Sequence, residues 1–352
     1  MKDAKVDAFF NGKAYGSVAQ RLVANGMNVN TLRPYEAEDG KSYITVNGKP
    51  LLANTSTLRK EEWMQMDEAI LVAARQRLIG VADLNSRGLT YNISNGLGTT
   101  VLEYEDTADL GEAEMNMDAV TRGRDDRPVF DIKYLPLPVI HKSFHFNIRA
   151  LSASRTTGAP LDTTTAALCG RSVAEKVENI LFNGSSTFNY GGGIIYGYAD
   201  FPSRLTGSLT APWDQVDSSS ASGETILADI LAMKQALISN RFFGPYMVYI
   251  PTAYETALDE DFKANSDKTI RQRLLEVGNI IDVKVADFMT TNSVIMVQMT
   301  SDVVRMVNGL GITPVEWDSE GGMIFHYKVM TIQVPQLRAD QNGRTGIARY
   351  TE

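Results

Sequence analysis

The sequence predicts an α+β fold, because helical patterns and strand patterns both recur along the chain. Apolar residues at helical spacing predict long helices from Trp63 to Ile79 and over residues 162–183. Strand and helix patterns alternate over residues 224–310, which indicates a sheet covered by helices. The tail from Ile312 to Arg338 is strand-like, with Gly321-Gly322 as its turn.

The composition is that of a soluble globular protein. At 352 residues, with 43% hydrophobic and 22% charged residues, the chain can form about two or three compact units. It has no apolar run of about 18 residues, so we expect no membrane span, and no apolar stretch near Met1 indicates a secretory signal. The single cysteine, Cys169, fits a reducing cytosol. A net charge of −8 argues against a sequence-reading nucleic-acid-binding protein.

Residues 1–60 are predicted to form an extended arm. They are rich in Asn, Gly and Thr and hold too few apolar residues for a core, so the arm must pack on something else. Asn47-Gly48 predicts a hairpin turn, and a short helix is expected near Val18–Val23. The arm carries nine Lys or Arg residues against five Asp or Glu residues.

Residues 98–138 are predicted to form a two-stranded excursion, entered through short strands at 89–91 and 99–104. Part of this excursion contains no basic residue and seven acids: Glu103, Glu105, Asp106, Asp109, Glu112, Glu114 and Asp118. Over residues 101–131, ten acids stand against three arginines. The apolar residues of the return segment Phe130–Leu137 are too few for a core of their own.

The region after the excursion is predicted to contain a strand at His141–Ile148 and a helix at 162–183. Asn183-Gly184 is a typical left-handed helix stop, and a Gly- and Ser-rich loop follows. The next unit is predicted to hold a helix at 224–240, a strand at 246–250, helices near 252–263 and 268–276, and strands at 281–286, 293–299 and 303–307.

No group of residues forms a convincing catalytic or metal site. His141 and His145 share one face of a predicted strand, but His326 lies on another strand and zinc needs more ligands than two. The acids of 103–118 lack the spacing of a calcium loop, so a loose cation site is only the minor alternative to a solvated or interface loop. Cys169 on an apolar helix face indicates a buried thiol. We therefore predict a non-enzyme without metal or cofactor.

Several segments together resemble tailed-phage major capsid proteins and the related encapsulin shell proteins, which share one fold. Leu135-Pro136-Leu137-Pro138 leads into a strand, as their "LPL" segment does, and Phe182-Asn183-Gly184 ends the following helix like their "Phe-x-Gly" stop. Gly244-Pro245-Tyr246 is similar to their "GPY" strand start. The run Leu274–Gly278 and the strand Phe325–Val334 follow in the same order.

The resemblance implies the phage major-capsid fold, with a peripheral domain, an axial domain, an extended E-loop and an N-terminal arm. It implies these limits: 1–60 for the arm, 61–97 for a peripheral helix and strand, 98–138 for the E-loop, 139–223 for the peripheral domain with its spine helix, 224–311 for the axial α/β domain, and 312–352 for the peripheral return strands.

The resemblance also implies a function: self-assembly into the icosahedral head shell that encloses the double-stranded DNA of a tailed bacteriophage. The expected partners are other copies in pentamers and hexamers, a portal, separate scaffolding or decoration proteins, and packaged DNA held non-specifically. Assembly is expected in the host bacterial cytoplasm, and the final location is the virion. No membrane partner is expected. Because relatives with a built-in scaffold begin with a longer charged helical segment, we expect no cleaved scaffold within this chain.

Two other functions stay open. An encapsulin-type compartment around a cargo enzyme has the same fold, although such shells are shorter than this chain. A soluble α/β enzyme built on residues 224–310 is the remote alternative, and it would need a cluster of titratable groups that the sequence lacks.

Charge suggests how copies would contact one another. We predict that the acids of 103–118 meet basic residues in the arm of another subunit, with the candidates Arg21, Arg33, Lys41 and Lys49. Exposed ion pairs contribute less than about 1 kcal/mol each, so their role would be to set register.

Overall fold

In a computed structural model, the protein has the mixed α+β architecture predicted from its sequence. The structure describes residues 8–10, 13–15, 35–37, 41–46, 49–52, 60–75, 79–107, 117, 130–149, 152, 163–215, 222–263, 267–340 and 342–352. The chain divides into two compact units. The first comprises Met1–Thr100, Leu137–Asn179 and Met306–Val334, and the second comprises Val101–Pro136, Ile180–Arg305 and Pro335–Glu352.

The described elements of the first half of the chain begin with two small sheets in the arm. In chain order they are β1 (Ala8–Phe10), β2 (Lys13–Tyr15), β3 (Tyr35–Glu36), β4 (Ser42–Val46), β5 (Lys49–Leu52), α1 (Lys60–Arg75), α2 (Ile79–Ser86), β6 (Thr90–Asn92), β7 (Val101–Thr107), β8 (Phe130–Pro136), β9 (Ile140–Asn147) and α3 (Thr164–Asn183). Strands β4 and β5 pair from Val46 and Lys49 outward, as the Asn47-Gly48 signal predicts.

The described elements of the second half alternate between strands and short helices before two long strands. They are β10 (Ser185–Tyr190), β11 (Gly193–Ile195), β12 (Leu205–Ser208), a 3₁₀ turn (Trp213–Gln215), α4 (Gly223–Ser239), β13 (Tyr246–Ile250), two 3₁₀ turns (Thr252–Tyr254 and Thr256–Asp259), α5 (Ile270–Leu275), β14 (Ile280–Val285), β15 (Ser293–Gln298), β16 (Val304–Ser319), a 3₁₀ turn (Glu320–Gly322), β17 (Ile324–Leu337) and β18 (Ile347–Thr351).

The first unit is built on a four-stranded sheet with the strand order β6-β16-β17-β9. Because side chains alternate along a strand, buried and half-buried residues alternate over Tyr327–Met330 of β17, whereas Thr331–Leu337 are buried on both faces. Tyr327 on the buried face is fully enclosed, with its ring 5.3 Å from Phe144 in a stacked arrangement and 6.0 Å from Trp63 edge-on. These aromatic contacts attach helix α1 to the sheet.

A buried carboxylate on α3 fixes the start of α2. One oxygen of Glu178 accepts a hydrogen bond from the backbone N–H of Gly80 at 2.6 Å, and the other accepts from Val81 at 3.3 Å. The first N–H groups of a helix have no partner within the helix, so Glu178 satisfies donors that would otherwise be buried unpaired. Burial raises the pKa of Glu178 to about 7, although these two hydrogen bonds oppose the shift; nearby Asp83 adds to it.

The loop after β6 approaches strand β16 so closely that only glycine fits. A Cβ atom on Gly96 would lie 2.2 Å from the carbonyl oxygen of Gly309. The approach is held by the N–H of Ile93, which donates to the carbonyl of Asn308 at 2.9 Å.

The second unit contains a five-stranded sheet with the strand order β12-β18-β15-β13-β14. All five residues of the interior strand β13 are buried. Helix α4 is capped at its start by Ser222, whose side chain forms a capping box with Thr225. Asp229 on the buried side of α4 accepts hydrogen bonds from the Thr210 hydroxyl at 2.6 Å and from the Trp213 indole N–H at 3.1 Å. This carboxylate therefore ties the helix to the segment that follows β12.

Several predictions about elements were wrong. The helix predicted from Trp63 to Ile79 ends at Arg75, and a second helix occupies residues predicted to be a connection. The helix predicted near 252–263 is two short 3₁₀ turns, Thr252–Tyr254 and Thr256–Asp259. Strands β10, β11, β12 and β18 were not predicted at all. The helix expected near Val18–Val23 lies outside the described residues.

No helix in the described ranges has both the length and the apolar content needed to cross a membrane.

Replacing Gly96 with Ala should destabilise the protein by about 1–3 kcal/mol, because the new methyl group would overlap the Gly309 backbone. The control is Gly278→Ala, because a Cβ at Gly278 meets nothing within 4 Å. Thermal unfolding should show a lower Tm for Gly96→Ala than for the wild type, and an unchanged Tm for Gly278→Ala. Equal Tm values for both variants would contradict the close approach.

Stability should depend on pH through Glu178. The unfolded chain loses this proton near its ordinary pKa of 4.5, whereas the folded chain keeps it to about 7. The stabilising contribution is therefore fully present below pH 4.5 and is lost as the pH rises to about 7. Between pH 5 and pH 8, the Tm of the wild type should fall more than that of Glu178→Gln, by roughly 5 °C.

The control for this comparison is Glu175→Gln, which changes a more exposed carboxylate on the same helix. A Glu178→Gln variant that follows the wild-type pH profile would show that Glu178 titrates normally.

Candidate assembly surfaces

Strands β7 and β8 form an antiparallel hairpin base that exposes apolar and acidic side chains together. Glu103 lies opposite Tyr134, and Glu105 lies opposite Ile132, so the four side chains share one face. Ile132 is 52% exposed and Tyr134 is 40% exposed, and both glutamates are exposed as well. Apolar area of this kind is typical of a surface that another protein covers.

A second hairpin, formed by β10 and β11, packs against this hairpin base. A Cβ atom on Gly193 would lie 2.2 Å from the carbonyl oxygen of Tyr134, so glycine is required for the backbone of β11 to approach β8. The guanidinium of Arg338 also donates to the carbonyl oxygen of Glu105 at 3.2 Å. On strand β10, Phe188 and Tyr190 add further exposed aromatic surface.

The structure places only some of the predicted contact residues. Glu103, Glu105 and Asp106 lie on β7, Lys41 is exposed just before β4, and Lys49 is the first residue of β5. The rest lie outside the described residues: Asp109, Glu112, Glu114, Asp118, Arg21 and Arg33. The pairing of these acids with the bases of the arm stays a prediction.

Exposed apolar residues also lie in the second unit. Leu231 on α4 is exposed, as are Leu275 at the end of α5 and Phe243 in the loop before β13. Lys234 donates to the carbonyl oxygen of Gly278 at 2.6 Å, which joins α4 to the segment after α5. The second unit thus presents apolar side chains on well-anchored elements.

The expectation that His326 stands apart from the other histidines was wrong. Strands β9 and β17 pair in a register that sets His326 directly opposite His145, with ring centroids 5.7 Å apart. His141 lies opposite Met330, which has the same parity as His326 on β17. The only three histidines of the chain therefore lie on one face of the four-stranded sheet.

This face, which we call the histidine face, comprises the side chains of β9, β16 and β17 that point away from Tyr327. Trp317 on β16 stacks on the ring of His326, with centroids 5.1 Å apart and planes 10° from parallel. The hydroxyl of Ser319 lies 2.7 Å from Nε2 of His326. The ammonium group of Lys328 lies 5.2 Å from the Trp317 ring centroid, a cation–π distance. Trp317, Ser319 and Lys328 were not singled out from the sequence.

The alternation that places these residues together is visible in the sequence once its turn is known. Val315, Trp317 and Ser319 precede the turn at Glu320–Gly322, and Ile324, His326 and Lys328 follow it at the same two-residue spacing. A hairpin between the two runs puts both sets on one face.

The described residues contain no group of three or more His, Cys, Asp or Glu side chains placed to hold a metal ion. Cys169 is buried on α3, and burial raises the pKa of its thiol while Lys142 lowers it to a smaller extent. A thiol with a raised pKa is a poor nucleophile at neutral pH.

The fold and its surfaces can be compared with known proteins. A family of unknown function (DUF6260) matches residues 53–349, and the chain belongs to this family. Among curated proteins, the type 1 encapsulin shell protein EncA of Myxococcus xanthus (strain DK1622) is 25% identical over 195 residues, which are 55% of this chain. The match spans only 61% of the length of that relative.

Among solved structures, a virus-like particle from Pyrococcus furiosus aligns with a TM-score of 0.59 and 17% identity, over 83% of this chain and 98% of that one. The capsid of Myoviridae phage XM1 aligns with a TM-score of 0.58 and 12% identity, over 76% and 90%. The chain therefore has the fold shared by tailed-phage capsid proteins and encapsulin shell proteins, as the sequence motifs indicated.

Proposed function

We propose that this DUF6260 member is the major capsid protein of a tailed bacteriophage and assembles, as pentamers and hexamers, into the icosahedral shell around double-stranded DNA. The observation that carries the proposal is the extent of the shared fold, which includes 98% of the Pyrococcus particle subunit and 90% of the phage XM1 capsid subunit. A fold retained over nearly the whole of two shell subunits supports a structural role rather than a catalytic one.

The exposed apolar surfaces support assembly. Side chains such as Ile132, Tyr134 and Phe243 are 40–63% exposed in the isolated chain. Clustered apolar exposure of this kind marks interaction sites. Many modest contacts of this type, repeated around a closed shell, give large total stability.

The distribution of charge supports a defined alignment of neighbouring subunits at these contacts. In this proposal the acids of the E-loop, residues 98–138, meet Arg21, Arg33, Lys41 and Lys49 in the arm of a neighbouring subunit. Glu103, Glu105 and Lys41 are exposed. The net charge of −8 also suits a wall that encloses DNA without binding it tightly, because binding strength rises with each phosphate neutralised.

The remaining partners follow from the same proposal. A portal, separate scaffolding or decoration proteins, assembly in the host cytoplasm and a final place in the virion all belong to a tailed-phage capsid. A second candidate is an encapsulin-type compartment, which the match to the Myxococcus xanthus shell protein favours.

Purified protein should form closed shells or ring-shaped capsomers in negative-stain micrographs. A discrete monomer or dimer under all assembly conditions would contradict the proposal. Particles isolated from the native source separate the two candidates, because nuclease-protected double-stranded DNA indicates a capsid. A co-purifying cargo enzyme without protected DNA would indicate the encapsulin alternative.

Charge reversal should test the predicted pairing. The double variant Lys41→Glu/Lys49→Glu should slow shell assembly at low salt, because each new carboxylate would face the acids of a neighbour. The loss of contact free energy should be modest, roughly 1–2 kcal/mol per contact between subunits, because two positive charges are replaced by negative ones. Light-scattering kinetics provide the measurement.

Adding Glu103→Lys/Glu105→Lys should restore the assembly rate of this double variant. The matched control is Lys176→Glu, a charge reversal at an exposed position of α3. Unchanged assembly in the arm variant, or a loss without rescue, would show that the acids have other partners.

A further inference from the structure

His145 and His326 lie opposite each other on two antiparallel strands at one edge of the four-stranded sheet. Strand β9 is the edge strand, and its register with β17 makes the two residues Cα partners. His145 is exposed and His326 is half-buried. Sequence patterns alone pair His141 with His145 on one strand, so this closer pair becomes visible only in the folded sheet.

The spacing of the two rings suits a shared metal ion. An ion about 2.1 Å from an imidazole nitrogen lies about 3.2 Å from the ring centroid, and two imidazoles at a tetrahedral angle then have centroids about 5.3 Å apart. The observed separation of the centroids is 5.7 Å. A small rotation of the exposed His145 side chain closes this difference, because exposed side chains change rotamer readily.

Ser319 and Trp317 hold the His326 ring in place for a role as ligand. The Ser319 hydroxyl lies 2.7 Å from Nε2 of His326, which leaves Nδ1 as the nitrogen without a hydrogen-bond partner among the described residues. A histidine that binds a metal through one ring nitrogen typically forms a hydrogen bond through the other, and this bond fixes its tautomer. Trp317 stacks on the same ring with planes 10° from parallel. One ligand is thus positioned before an ion arrives.

The donors on the histidine face select the class of ion. The described side chains of this face include no carboxylate, and Lys328 adds a positive charge. Mg²⁺ and Ca²⁺ prefer carboxylate and carbonyl oxygens and have no charged ligand here. Neutral imidazole nitrogens suit Cu²⁺, Ni²⁺ and Zn²⁺, and Cu²⁺ is bound most tightly by a given set of donors.

We propose that His145 and His326 form a binding site for a divalent transition-metal ion, with Cu²⁺ bound more tightly than Ni²⁺ or Zn²⁺. His326 binds through Nδ1 while its Nε2–H donates to Ser319, and water completes the coordination of the ion. Both protein ligands belong to one chain, so the site requires no second subunit and does not depend on the proposed function.

The bound ion fastens the edge strand to the rest of the sheet. In the described sheet, β9 pairs with β17 alone. Separation of the two strands, or a slip of one residue between them, takes His145 away from His326. The ion therefore opposes both movements, because it binds the paired strands and not the separated ones.

Metal titration of dissociated full-length subunits tests the site. Bound Cu²⁺ or Ni²⁺ should quench the fluorescence of Trp317, whose ring centroid lies 5.1 Å from that of His326. Calorimetry with Ni²⁺ should show one site per chain, and Mg²⁺ should produce no response. Ser319→Ala should weaken binding by about ten-fold, and replacing either ligand, His145→Ala or His326→Ala, should weaken it by about 100-fold.

His141→Ala is the matched control for the two ligand variants. His141 shares their face but lies about 13 Å from His145 along β9, too far for one ion to reach both. The control should therefore bind the ion as the wild type does. Trp317→Phe separates the reporter from the site, because calorimetry should still detect the ion after the fluorescence response is lost.

Hydrogen exchange measures the effect of the ion on the edge strand. Saturating Zn²⁺ should slow amide exchange in residues 140–147 by about ten-fold in the wild type and leave it unchanged in His145→Ala. His145 is exposed, so its replacement leaves the core intact. His145→Asn provides a second variant in case the alanine variant has a lower metal-free Tm.

Equal affinity of the wild type and His145→Ala would overturn the site, as would an equal loss in His141→Ala or a response to Mg²⁺. Binding without slower exchange in β9 would overturn the role of the ion in fastening the strand. Shell formation plays no part in these measurements. Their failure would therefore leave the proposed function intact, and an absence of shells would leave the metal site intact.

Discussion

The first unit depends on the strict alternation of side chains along β17. Tyr327 and Val329 point into the core and are fully buried, while His326 and Lys328, which alternate with them, point to the other side. A slip of one residue in the pairing with β9 would bury the imidazole and the ammonium group and expose the tyrosine that attaches α1. One register therefore sets both the core of this unit and the chemistry of its uncovered surface.

Local patterns predicted the elements that depend on local interactions. The helix ending at Asn183, the strand Tyr246–Ile250 and the antiparallel pair of β4 and β5 are close to their predicted limits, because capping glycines and apolar runs act within a few residues. Strand β18 could not be found this way. It is short, and it exists because it pairs with β12 in parallel and with β15 in antiparallel orientation, contacts made across long stretches of chain.

The surfaces show the same difference between features that local sequence predicts and features that depend on contacts between distant segments. The acids of 103–118 stand out by composition alone, whereas the exposure of Ile132 and Tyr134 depends on which side of β8 the rest of the second unit covers. The cluster around Trp317 required the register of the hairpin between β16 and β17, whereas the histidine pair joins strands that are distant in sequence. His145 and His326 are opposite each other only because β9 and β17 pair as they do. The two-residue period of a strand tells which face of the sheet a side chain lies on. The pairing of the strands determines which side chains lie beside it.

The position of β18 has a consequence for how such a protein is synthesised. Residues 347–351 form an interior strand between β12 and β15, so the five-stranded sheet stays divided until they have emerged from the ribosome. Nascent chains held on neighbouring ribosomes of one message would thus lack a finished second unit. The second unit can therefore complete its sheet only after residues 347–351 have been synthesised.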